Sequence, residues 1–110
     1  MEYRPDRWLM VKLTNDKNEV HYRVFATWSG GYLDGDSWKL NSGVTSLKET
    51  KERFYFEGSS GSTYICNKTS YGSTGYGQSV LSGLITKSLR GNIVMEVLPE
   101  ETDFTTIDYV

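Results

Sequence analysis

The chain has 110 residues with one cysteine and a net charge of −2, a length that fits one domain able to bury its own core. The single thiol excludes an internal disulfide, and the near-neutral, slightly acidic balance gives no global electrostatic case for binding a nucleic acid polymer. Hydrophobic residues make up 37% and charged residues 24%, so neither disorder nor a membrane protein is indicated by composition.

The first residues, MEYRPDRW, lack the apolar stretch of a signal peptide, and no run is long enough to span a bilayer. With no disulfide framework, the expected location is cytoplasmic. Residues 67–69 match the glycosylation acceptor pattern, which has no meaning in that compartment.

Residues 7–13 (RWLMVKL) read as a strand with Leu9, Val11 and Leu13 on one face and Trp8, Met10 and Lys12 on the other. The polar cluster 14–19 turns the chain into a second strand over 20–28. Val20, Tyr22, Val24 and Ala26 form one of its faces, and His21, Arg23, Phe25 and Thr27 the other. A glycine-bearing loop follows over 29–36, then a short strand over 37–40. Residues 44–51 fit either a strand or an irregular turn. ERFYFE (52–57) and STYICN (62–67) form a second hairpin about a Gly/Ser loop, with Phe54 and Phe56 sharing a face.

After a glycine-rich loop, Tyr76, Val80, Leu81, Leu84, Ile85 and Leu89 make an amphipathic stripe, which predicts a helix over about 76–89. Ser73 or Thr74 suits its N-cap, Lys87 and Arg90 its last turn, and Gly91 its end. Gly83, inside the helix, suggests close contact with the sheet. A last strand over 92–98 stops at Pro99, and the acidic tail 99–110 reads as a loose terminus or an edge strand. The expected fold is a single α+β domain over 1–110, an antiparallel sheet of about five or six strands with one helix across it.

The strongest candidate site is the loop Tyr71, Gly72, Ser73, Thr74, Gly75, Tyr76 and Gly77. Glycines free the backbone, hydroxyls lie close by, and the following helix start points unpaired N–H groups at any anion held there. It is neither a Walker loop nor a dinucleotide fingerprint, and the plain alternative is a loop whose glycines only let the chain turn. Tyr32 and Trp38 flank a second loop and suit the stacking of a planar ligand; Trp38 as a core anchor is the competing reading. Asp34 and Asp36 lack the remaining ligands of a calcium loop, so no metal is expected. Arg53, together with Arg23 if the two share a sheet face, suits a phosphate.

His21, the only histidine, stands mid-strand without an orienting partner, and Cys66 reads as an inert thiol. No catalytic motif or cofactor signature is present, so the chain is read as not an enzyme, with no cofactor.

Trp28, Ser29, Gly30 and Gly31, the run from Gly35 to Gly43, Gly61 to Cys66, and Tyr71 with Gly72 resemble small uncharacterised proteins of tailed bacteriophages, over about 28–85. The resemblance transfers no activity. It implies an accessory protein in the host cell that acts by binding, as an inhibitor of host defence. Two readings follow: sequestration of a small anionic, nucleotide-like ligand through the Gly/Ser/Tyr loop, or inhibition of a host protein through an aromatic surface that also suits a homo-oligomer.

Overall fold

The computed structural model describes residues 1–30 and 35–109. Among these residues, eight strands, β1 (Glu2–Tyr3), β2 (Arg7–Thr14), β3 (Val20–Trp28), β4 (Ser37–Leu40), β5 (Val44–Glu49), β6 (Arg53–Gly58), β7 (Thr63–Asn67) and β8 (Val94–Val97), accompany one α-helix, α1 (Gly75–Arg90). The class is α+β, as the patterning predicts. The strands divide between two four-stranded sheets, ordered β1-β7-β6-β5 and β4-β3-β2-β8, where one sheet of five or six was expected. Every pairing is antiparallel except β1 beside β7.

The reason for two sheets lies in β2. Its register with β3 sets Trp8 opposite Ala26 and Met10 opposite Val24 on one face, and Leu9 opposite Phe25 and Val11 opposite Arg23 on the other. Trp8, Leu9, Met10 and Val11 are all buried. A strand apolar on both sides needs a cover on each. The first sheet covers the Trp8 side, where the indole meets Phe54 at 5.9 Å and Phe56 at 5.4 Å between ring centres. The helix covers the Leu9 side, with Leu81 buried and Gly77 seated against Thr27.

The turn between β2 and β3 is built on Asn15, whose side-chain oxygen accepts from the amides of Lys17 and Glu19, while Asn18 takes the left-handed conformation. Asn41, buried after β4, accepts from the amide of Val24 and so extends the edge of the second sheet. Residues 44–49 resolve as a strand with a bulge between Val44 and Ser46.

Helix α1 starts and stops within a residue of the predicted bounds. Thr74 is its N-cap, its hydroxyl accepting from the amide of Gly77. At the other end the left-handed residue is Asn92, at φ 61°, not Gly91. Gly83 touches nothing within 4 Å of where a Cβ would stand, so the expected close contact belongs to Gly77 instead. The tail, read from sequence as a loose end or an edge strand, carries a 3-10 turn at Phe104–Thr106 that lays Phe104 against Trp8, Phe54 and Tyr71.

Candidate functional site

Position on the sheets decides which candidate residues can meet. Arg7, Thr27 and Trp38 form one row across β2, β3 and β4, on the face that carries the helix. Gly77, in the first turn of α1, sits on Thr27: a Cβ there would lie 3.0 Å from the threonine methyl. The helix start is thus set down between Arg7 on one side and Trp38 on the other, by a row of strand partners and one missing side chain.

The segment leading into the helix is pinned from below. Tyr71 bridges to Trp8 in parallel register. Its hydroxyl accepts from the amide of Met10 and donates to the carbonyl of Leu98. The carbonyl of Tyr71 accepts from Arg7 Nη2 at 3.2 Å. Gly72, at φ 141°, leaves the space that the Arg7 guanidinium fills; a Cβ would stand 2.3 Å from Nη2. A cation therefore lies against the chain just before the helix.

At the helix start, Thr74 Oγ1 takes the amide of Gly77 and the Thr74 carbonyl takes that of Gln78. The amides of Gly75 and Tyr76, at the first two helical positions, fall outside the intrahelical pattern. No acidic side chain stands in this first turn, so nothing on the helix itself offsets its positive end. Gly75 opens onto free space.

The expected site residues divide accordingly. Gly75 and Tyr76 open the helix, Trp38 stands one strand beyond the Thr27 that seats Gly77, and Tyr76 and Trp38 are each 37% exposed. Trp38 also stacks on Phe25, with ring centres 5.9 Å apart, so it is part anchor and part surface. Thr74 is committed as the cap, and Tyr71 is buried with both hydroxyl bonds made within the protein. Ser73 turns inward: its Oγ is buried without a partner among the described residues and occupies the space beside Gly77. Tyr32 lies outside the described residues, as does Asp34.

Arg53 is elsewhere. It heads β6 opposite Asn67, on the side of the first sheet away from the Phe54 and Phe56 rings, whereas Arg23 lies on the helix-bearing face of the second sheet. Both sheets separate the two arginines, and a shared phosphate is ruled out. Arg7 is the residue that sequence reasoning missed. Its contact with Tyr71 spans 64 positions, and no local pattern announces it.

The remaining chemistry is sparse. Cys66 is fully buried on the inner face of β7 and burial pushes its thiol pKa up. His21 is on the far face of the second sheet, so the pair cannot meet. No group of three or more histidine, cysteine or acidic residues suited to a metal occurs among the described residues. Among them, no helix is long and apolar enough to cross a membrane.

No protein-family model, curated protein or solved structure matches the chain. The class of protein rests on geometry alone: an α+β fold whose helix start, bare of acidic side chains, is flanked by an arginine and two half-open aromatic rings.

Proposed function

We propose that the protein binds a small anionic ligand of nucleotide type at the start of α1. One observation carries this reading: the Arg7 guanidinium, held against Gly72 by its bond to the Tyr71 carbonyl, stands beside a helix N-terminus with no acid in its first turn. Two amides left without an intrahelical partner and a guanidinium suit an oxyanion, and the rings of Trp38 and Tyr76 offer flat apolar surface for a base. The chemistry required is binding alone; no nucleophile, base or metal is invoked. Removal of a nucleotide signal from a host defence system is the role that the phage resemblance implies, and nucleotide-selective binding would support it.

The alternative, an aromatic surface that engages a host protein or a second copy, has fewer residues to use. Trp8, Phe25, Phe54, Phe56, Tyr64, Tyr71 and Phe104 are all interior.

The test is titration of the 15N-labelled protein with AMP and ATP. Saturable shifts of the Gly75 and Tyr76 amides are expected, weakened roughly tenfold or more in Arg7→Ala, from the usual worth of a charged hydrogen bond. Unmoved amides at millimolar nucleotide would sink the proposal.

A further inference from the structure

A second cationic feature lies where β6 begins and β7 ends, and owes nothing to the helix. Lys51, Glu52, Arg53, Asn67, Lys68 and Thr69 line an open hollow of about 480 Å³. A neighbouring hollow shares Arg53 and Asn67 with it and adds Arg4 and Asp6. Arg53 thus stands on the wall common to both. One bond directs it: Nε donates to Asn67 Oδ1 at 3.2 Å, between strand partners in register. A guanidinium tethered through Nε keeps its two terminal nitrogens for another acceptor, and they form the fork that matches an oxyanion.

The neighbours sort by prior commitment. Lys68 is paired with Glu49 and lies over the Phe54 ring, so it shapes the wall more than it supplies charge. Lys51 has no ion pair among the described residues, and neither does Arg53. Among the described residues, Glu52 is the one carboxylate lining the main hollow. Two uncommitted cations face one carboxylate, a balance that suits a compact anion of low charge and disfavours a bulky polyanion. Thr69 adds a hydroxyl donor. From this arrangement we infer a second binding site, in which the fork of Arg53, aimed by Asn67 and assisted by Lys51, takes the phosphoryl group of a small ligand.

The site is independent of the one at the helix start, and the experiment keeps them apart. Inorganic phosphate and, separately, AMP are titrated into the 15N-labelled protein against sodium chloride of equal ionic strength. Saturable shifts of the Arg53, Asn67, Lys68 and Thr69 amides are expected. Arg53→Ala should weaken them about tenfold or more, and Arg53→Lys nearly as much, because a lysine lacks the fork. Lys51→Ala, at an exposed turn, should weaken them several-fold without threatening the fold, and Arg7→Ala should leave them unchanged. Saturation by phosphate alone would assign a free oxyanion, and saturation by AMP as well would assign a phosphomonoester; either supports the site. Shifts that chloride reproduces, or that persist in both Arg53→Ala and Lys51→Ala, would overturn it.

Discussion

Tyr71 illustrates how a single side chain changes meaning once its surroundings are known. In sequence it opens a Gly/Ser/Thr loop and reads as a ligand contact. In the fold its ring stands edge-on to Trp8 at 4.7 Å and its hydroxyl satisfies two backbone groups distant in sequence, the amide of Met10 and the carbonyl of Leu98. Burial holds its phenol, with those of Tyr64 and Tyr109, above the ordinary tyrosine pKa. The native state therefore keeps protons that the unfolded chain releases above about pH 10. Their contribution is intact below that pH and is lost as pH rises toward the folded values, at no more than about 1.4 kcal/mol per group per pH unit. Melting temperature should accordingly be level near pH 8 and fall steeply toward pH 11, with a shallower fall in Tyr109→Phe. That substitution also removes a bond to the Phe104 carbonyl, so its melting point at neutral pH starts lower. An alkaline limb of equal slope in both proteins would contradict the assignment.

At the scale of elements, what the sequence disclosed was whatever is settled locally. The 3.6-residue stripe and the threonine cap defined α1 to within a residue, and alternation gave both faces of β2 and β3 correctly. Division into two sheets was not legible, because alternation tells which residues share a face and not what covers it. One clue was present: Trp8 and Met10 are as apolar as Leu9 and Val11, which asks for a layer on each side. For the proposed site, the sequence pointed to the helix start and Trp38 as loop chemistry but not to Arg7, since only tertiary packing brings it to Gly72. Two of the three glycines in the helix make the same point. Gly83→Ala should stabilise by about 1 kcal/mol, since the position is open and alanine is the better helix former. Gly77→Ala should destabilise, because overpacking of about 1–3 kcal/mol against Thr27 and Ser73 outweighs the same propensity gain. Thermal melts of the two variants should therefore move in opposite directions. A rise for Gly77→Ala would mean that the helix start is not seated on the sheet.

For the whole molecule, the consequence of two sheets is an interior built on aromatic rings supplied by segments far apart in the chain. Trp8 comes from β2, Phe54 and Phe56 from β6, Tyr71 from the loop before the helix and Phe104 from the tail; all five are buried together. Phe104 lies 5.3 Å from Trp8 and 5.7 Å from Phe54 between ring centres, so it closes the cluster where the two sheets would otherwise leave it open. Tyr109 continues the closure, meeting Tyr22 of one sheet and Phe56 of the other. The acidic residues around them, Glu100, Glu101 and Asp103, remain exposed, which is why the tail looks dispensable by composition. Its energetics are different. Phe104→Ala should cost about 3–5 kcal/mol, the usual range for emptying a buried phenylalanine site, against a total stability on the order of 5–15 kcal/mol for a domain. Truncation after Pro99 removes Phe104 and Tyr109 together and should leave a chain without cooperative unfolding. The check is urea denaturation followed by tryptophan fluorescence in a Trp28→Phe/Trp38→Phe background, where the signal comes from Trp8 inside the cluster. A truncated protein that unfolds at the same midpoint as the full chain would return the tail to the status of an appendage.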